Sequence, residues 1–431
     1  MRDDALTSDF KAEPYWWEAL PAEAAEGEPP PATEIVVVGA GITGASAALT
    51  LARGGARVVV LDAEGVGRAA SSRNVGLVTR MLHTGFEHLE HRLGRARLGA
   101  MLGEAAAAFE TVRTVIAEEQ IACHFQLSGR FLAAASPRHR STQLRELALM
   151  REFSGVECEV LSRADQAREI ASNTFHGGVI VEGTGALHPG LYTHGLIERA
   201  RNAGAAFHGH RPVVAIERDA AGFRVAYRGG VIRAQHVVVA TNGHTGRVTP
   251  QFRRRIIPLP AHLAATEPLD PALIRRLLPT GRPVIDSRRI FSYLRASPDG
   301  TRLLFGGQVG FQHHDKRALA RRIRDDLVRV FPELARVRMS HAWSGNVALS
   351  FDRIPHIGVQ DGIHYALAMC GAGVPMGTHL GRKIALKLLG SPQGVTAYDG
   401  LAFPTRPFYT GHPWFAEPLA RWARVRDRWD G

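Results

Sequence analysis

The chain has 431 residues, 45% hydrophobic and 7% aromatic, which suits a soluble globular protein of two interlocked domains better than a single core. No stretch reaches the roughly 18 apolar residues of a membrane span, the start Met1–Ala5 does not read as a secretory signal, and three scattered cysteines (Cys123, Cys158, Cys370) exclude a disulfide framework and point to a reducing cytoplasm. The formal charge of +12 is carried almost wholly by dispersed arginines, a solvated basic surface and not a nucleic-acid or membrane footprint.

Residues 1–33 read as an arm, with aromatic anchors at Tyr15, Trp16 and Trp17 and an extended linker at Glu26–Pro31. Ile35–Val38 is a β-branched run suited to a strand buried on both faces. Gly39–Gly44 follows as a glycine turn, Ala45–Ala52 as a helix stopped by Gly54 and Gly55, and Arg57–Leu61 as a second buried strand ending at Asp62. Residues 87–153 read as long helices around the short strand Arg130–Ala134, and Pro189–Ala203 as a helix. Strands are expected at 206–210, 213–218, 223–227 and 231–234, then at His236–Ala240. The stretch 252–316 is β-rich, with a turn at Ser297–Gly300, and Ala318–Phe331 is an amphipathic helix. Last come a strand at Ile363–Met369, a glycine turn at Cys370–Pro375 and a helix at Met376–Leu389.

The turn matches G-x-G-x-x-G at Gly39, Gly41 and Gly44, with Ile42 and Thr43 inside it. Its glycines permit a tight turn, backbone approach to a pyrophosphate, and close packing of helix on strand. Asp62 stands 18 residues beyond Gly44, where a carboxylate accepts from ribose hydroxyls. Strand, turn, helix, strand and acid in this order are a dinucleotide-binding unit. Three apolar strands ending in glycine turns lie far apart in the chain. One nucleotide domain assembled from separated segments explains them. His83, His88 and His91 lie at roughly helical spacing, but no carboxylate-flanked ligand pattern accompanies them, so no metal is expected.

Seven motifs in order resemble the D-amino-acid-oxidase-like family of FAD enzymes, nearest its γ-glutamylputrescine oxidase branch and more distantly sarcosine and glycine oxidases. They are Tyr15-Trp16, Ala70–Gly76, Ala240–Gly243, Asp299–Gly307, Trp343–Gly345, Asp352–Gly358 and Phe408–Trp414. The resemblance implies an α/β fold. Its parts are a Rossmann-type (glutathione-reductase-like) FAD domain from 34–85, 186–250 and 340–395, an inserted α+β substrate domain with an antiparallel sheet from 86–185 and 251–339, and a C-terminal extension at 396–431. It implies FAD contacts from Ala63, Ala70, Ser71, Ser72, Arg73, Asn74, Val75, Gly76 and Leu77, with Val213 at the adenine and Ala240, Thr241 and Gly243 over the adenosine half. Trp343, Gly345 and the last turn (Gly371, Ala372, Gly373, Val374, Met376, Gly377) would meet the flavin, a helix N-terminus there favouring negative charge.

Relatives that link flavin covalently use a histidine at the position of Arg73 or a cysteine near that of Trp343, so FAD is expected to be non-covalent. The oxygen-activating lysine of sarcosine oxidases falls near Leu304, which leaves open whether oxygen or another carrier takes the electrons. Arg80 matches an arginine that holds substrate carboxylate, with a structural salt bridge as its other reading. Tyr293 and Arg295 face either pocket or core. The expected activity is oxidation of a C–N bond in a small amine or amino acid to imine or aldehyde and hydrogen peroxide. The expected partners are that substrate and the electron acceptor, with no nucleic acid and no membrane insertion.

Overall fold

A computed structural model describes residues 5–23, 26–82, 85–307, 311 and 313–429. Among the described residues the strands form two large sheets and a two-stranded ribbon. In the first sheet, the parallel strands run in the order Ala206–His208, Val58–Leu61, Ala32–Val38, Gly230–Val239, Ile363–Leu367. Numbered along the chain, that is 3-2-1-4-5, the doubly wound order whose direction reverses between the first and fourth strands. Ligands bind such sheets at the carboxyl ends of the strands flanking that reversal. Here those ends are Val38-Gly39 and Val239-Ala240, and Ala240 N–H donates to the Val38 carbonyl at 2.9 Å.

The helices Ile42–Arg53 and Gly373–Leu388 cover this sheet and pack on each other. Their contact is close because Gly381 meets the Thr43 carbonyl and Gly377 meets the Thr43 side chain, where a Cβ would collide. Val36, Val37, Val60 and Leu61 are fully enclosed, each such side chain contributing about 1.5–3 kcal/mol of transfer free energy.

The second sheet has nine strands, mostly antiparallel, with the helix Lys316–Val330 against one face. Two expected boundaries are corrected by its membership. Leu6–Lys11 pairs in parallel with Met339–Leu349, so the start of the chain is an edge strand of this sheet and no free arm. Met339–Leu349 pairs along its whole length with Ile257–Thr266, so residues 340–349 belong to the second sheet and not with the nucleotide-binding segments. The expected strands at 231–234 and 236–240 are one strand, Gly230–Val239, whose first half joins an antiparallel meander and whose second half joins the parallel core. The β-rich stretch also holds a short helix, Pro271–Leu277, capped by the Asp270 carboxylate accepting from Ala272 N–H at 2.8 Å. The helix expected from Met376 starts three residues earlier, at Gly373, and a further helix, Ala416–Trp429, follows it. No helix among the described residues is long and apolar enough to cross a membrane.

Candidate active site

A cavity of about 1220 Å³ runs from the reversal point of the first sheet to the second sheet. Gly39, Gly41, Ile42, Thr43, Asp62, Ala63, Val213, Ala240, Thr241 and Gly243 line its first end. Gly39 has φ +107, and a Cβ there would sit 2.9 Å from the Ala240 carbonyl oxygen, so glycine is needed for both conformation and space. A Cβ on Gly41 would stand 2.7 Å from Ser71 Oγ, at the open start of the helix Ile42–Arg53. Gly44 does not line the cavity; it lets helix and turn touch, since a Cβ would collide with the Gly39 carbonyl. Asp62 accepts from Ala40 N–H at 2.7 Å and from Glu64 N–H at 2.9 Å, and burial pushes its carboxyl up against these two donors.

Ala70, Ser71, Arg73, Asn74, Val75 and Leu77 carry the lining on. Ser71 Oγ accepts from Ile42 N–H at 2.9 Å, tying this loop to the helix start. Three indoles grip the loop from behind. Trp17 donates to Ser72 Oγ at 3.0 Å, Trp343 to the Arg73 carbonyl at 2.8 Å, and Trp16 to the Asn74 carbonyl at 2.8 Å. Ser72 in turn donates to the Gly67 carbonyl at 2.7 Å, so it is buried in the loop's own scaffold and does not face the cavity. Trp343 and Gly76 are likewise behind the lining, while Gly345 is part of it. The Arg73 guanidinium is engaged by the Arg68 carbonyl at 2.9 Å, and it stacks on Trp17 at 4.6 Å.

Gly371, Gly373 and Val374 line the cavity where the helix Gly373–Leu388 begins, and Ala372, its N-cap, offers no side-chain hydrogen bond. Ala372, Met376 and Gly377 sit behind, in the packing of that helix. Two helix starts whose N-cap residues, Gly41 and Ala372, carry no capping side chain thus open on one cavity, each presenting a positive dipole end, with Ile42 N–H of the first taken by Ser71 Oγ.

Of the three expected catalytic residues, the cavity receives one. Tyr293 lines it, donating its hydroxyl to the His262 carbonyl at 3.4 Å, with burial raising its pKa. Arg295 does not reach it. Its guanidinium is buried and donates to the Val75 carbonyl at 3.0 Å and the Leu187 carbonyl at 2.9 Å, with burial lowering its pKa to about 10. Arg80 does not line the cavity, although its neighbours Thr79 and Met81 do. It pairs with Glu110 at 3.5 Å and lies over Phe109 at 5.3 Å, the contacts expected of a structural salt bridge, and does not face the cavity as a substrate-carboxylate contact would. His83 lies outside the described residues; His88 and His91 are exposed on the helix Phe86–Leu93.

The far end holds residues that motif reading passed over: Arg130, Glu146, Leu132, Ile285 and Phe291, with Phe415 and, in the terminal helix Ala416–Trp429, Leu419 and Trp422. The available signal for Arg130 was an arginine heading an otherwise apolar strand, Arg130–Ala133.

Residues 34–386 match the model of the DAO family, described as FAD dependent oxidoreductase. The chain belongs to this family. Among curated proteins, the chain is similar to the γ-glutamylputrescine oxidoreductase of Escherichia coli K12, 31% identical over 404 residues, covering 92% of this chain and 93% of the relative. Among solved structures, glycine oxidase from Geobacillus kaustophilus superposes with a TM-score of 0.69 at 19% identity (88% of this chain, 99% of that one). L-Proline dehydrogenase from P. horikoshii gives 0.71 at 18% (91% and 99%). At these identities the structural likeness speaks for the fold.

As a DAO-family member the chain is an FAD-dependent oxidoreductase, and its residues fit that cofactor. The glycine cradle at Gly41 and the positive dipole ends of the two helix starts suit an anionic dinucleotide. The volume also exceeds the roughly 300–1,000 Å³ of ordinary small-ligand sites, leaving room for a second molecule.

Proposed function

We propose that this enzyme oxidises the C–N bond of a small amine or amino acid in the manner of γ-glutamylputrescine oxidation, with FAD held non-covalently. The observation that carries the reading is the continuity of the dinucleotide groove with a chamber walled by Met81, Leu82, Leu132, Ile285 and Tyr293. FAD held by the Gly41 turn and the helix starts at Ile42 and Gly373 would supply a two-electron hydride acceptor for the C–H beside the amine nitrogen, so that water could hydrolyse the product imine to a carbonyl with release of ammonia or an amine, and oxygen could reoxidise the flavin to give hydrogen peroxide.

The chain's own part is positioning and desolvation. Apolar walls disfavour an ammonium, so the chamber lowers the pKa of a bound amine and holds the neutral form, whose lone pair stabilises the developing iminium. Tyr293 has its hydroxyl committed to the His262 carbonyl and is no candidate base. Three free thiols are in keeping with a cytoplasmic setting.

An anaerobic screen of amines and amino acids for bleaching of the flavin band tests the reading. Bleaching by an amine at a rate that rises with pH is expected, and bleaching only by substrates without nitrogen would sink it. A dehydrogenase handing electrons to a quinone or carrier is the second reading, favoured by one residue. Leu304, standing near the oxygen-activating lysine of sarcosine oxidases, is fully buried against Trp16 and Trp343. Equal turnover in air and under argon with an added quinone would decide for it.

A further inference from the structure

Among the described residues, the exposed phenylalanines and tryptophans are Phe291, Phe408, Trp414, Trp422 and Trp429. All but Phe291 belong to the stretch 405–429, and Phe291 belongs to the loop that this stretch latches. There the Asp427 carboxylate accepts from Arg289 N–H at 3.0 Å and pairs with the Arg289 guanidinium at 2.8 Å. In the helix Ala416–Trp429, Ala420, Ala423 and Asp427 turn to the body, while Leu419, Trp422, Val425 and Trp429 form an exposed apolar stripe on an adjoining face. Phe408 is 98% exposed and holds φ +62, a backbone that a bulky residue adopts at a cost and that no burial offsets. Phe291, Leu419 and Trp422 are exposed and also line the chamber, so this face is the rim of its mouth.

The stretch 405–429 carries five arginines and two carboxylates. Both carboxylates are engaged within the protein, Asp427 by Arg289 and Glu417 by Arg421 at 2.7 Å. Arg406, Arg421 and Arg426 are exposed, and Arg426 lies over the Trp422 ring at 5.3 Å. Basic charge that is dispersed along the sequence is here gathered beside aromatic rings. A second copy of this face would set arginine against arginine, which disfavours self-pairing. An anionic bilayer answers both features: tryptophans settle at the headgroup level, and arginines meet lipid phosphates.

We propose that this rim docks the enzyme on an anionic phospholipid surface, the terminal helix lying in the headgroup layer and the chamber mouth opening at the lipid. The docking is peripheral, and no helix among the described residues is long and apolar enough to cross the bilayer. A molecule dissolved in the bilayer then reaches the chamber without crossing water. This goes beyond the amine-oxidation reading and does not rest on it.

The test is sedimentation of the holoenzyme with vesicles of phosphatidylcholine, alone or with about one-third phosphatidylglycerol. Binding to the mixed vesicles is expected to be on the order of 30-fold tighter than to phosphatidylcholine alone, and to weaken as salt is raised. Trp414→Ser with Trp429→Ser, both outside the cavity lining, should weaken binding to the mixed vesicles by about tenfold. Arg421→Glu with Arg426→Glu should abolish the preference for phosphatidylglycerol. FAD content and melting temperature report folding, and if the charge-reversed variant does not fold, Arg406→Glu with Phe408→Ser carries the test. A wild type that ignores the mixed vesicles at low salt, or rim variants that bind them as tightly as wild type, would overturn the docking. So would a wild-type dimer that the tryptophan variant splits, since the rim would then be a subunit interface. None of these readouts uses turnover, so the docking and the amine chemistry fail separately.

Discussion

Trp343 donates its indole N–H to the Arg73 carbonyl at 2.8 Å, so the two positions at which relatives carry a covalent flavin link are here tied to each other. Neither offers a nucleophile: one is an indole, the other a guanidinium held by the Arg68 carbonyl. Acid precipitation should therefore leave a colourless pellet and release intact FAD into the supernatant. A yellow pellet would show a link through some other residue.

At the dinucleotide end, Gly41→Val should abolish FAD binding, because even a Cβ would stand 2.7 Å from Ser71 Oγ in the space a pyrophosphate needs. Asp62→Ala should weaken it, since the ionised carboxylate is worth about 1.5–3 kcal/mol to a hydroxyl donor. It should also lower the melting temperature, because Ala40 N–H loses its acceptor. Flavin absorbance per protein after gel filtration measures both, and full occupancy in both variants would place the cofactor elsewhere.

This end was legible in the sequence because it is local: Val36 to Asp62 is one strand–turn–helix–strand unit whose spacing is set by backbone geometry alone. The far end was not. Arg130, Glu146 and Tyr293 converge from three separate segments, and nothing in their spacing says which side of a strand faces the chamber. Arg80 and Arg295 show the same limit. Arg80 sits between the lining residues Thr79 and Met81, and Arg295 two residues after the lining Tyr293. Yet each is held out of the cavity by partners that only the folded chain brings near, Glu110 for Arg80 and the Val75 and Leu187 carbonyls for Arg295. The aromatic cluster at 15–17 was expected to pack on the body. Its role as a clamp on residues 72–74 depends on Leu6–Lys11 joining the second sheet, which composition does not reveal.

Arg295 spans the two pieces of chain that frame the loop, through Val75 and Leu187. Arg295→Met should leave both buried carbonyls short of a donor, costing about 1–3 kcal/mol each. The expected result is faster FAD loss on dilution and a lower melting temperature, with substrate preference unchanged. A changed ratio between carboxylate-bearing and carboxylate-free amines would give Arg295 a direct substrate role instead.

His188 and His262 are both almost fully buried, and burial lowers the pKa of each to about 4. Their unfolded values lie near 6.5, so between about pH 6.5 and 4 the unfolded chain binds more protons than the folded one. Stability should therefore fall on acidification through that window, by about 1.4 kcal/mol per pH unit from each. His188 also caps the helix Pro189–Asn202, its Nδ1 accepting from Leu191 N–H at 3.1 Å. Asparagine can keep that cap without titrating. Urea unfolding of His188→Asn at pH 5, 5.5 and 6 (about one proton's span) should show a slope reduced by one histidine's share. An unchanged slope would mean that His188 is not neutral in the fold.

Arg80 contrasts with Arg130, which is buried and lines the chamber. Its partner Glu110 is 46% exposed at the side chain and 3.5 Å away, and such pairs are worth about 0–1 kcal/mol. Its stem over Phe109 adds packing that alanine would also remove. Because Thr79 and Met81 flank it on the cavity side, truncation should not alter the lining. Arg80→Ala is thus expected to lower the melting temperature by a few degrees, about 1 kcal/mol. It should shift kcat/KM for carboxylate-bearing and carboxylate-free amines by the same small factor. A selective loss of the carboxylate-bearing substrates, on the order of 30-fold or more, would mean that Arg80 swings inward when substrate binds. That would require breaking the Glu110 pair, so Glu110→Gln, which frees the guanidinium, should then raise the affinity for those substrates. If Arg80 is the surface strut described here, Glu110→Gln should leave that affinity where it was.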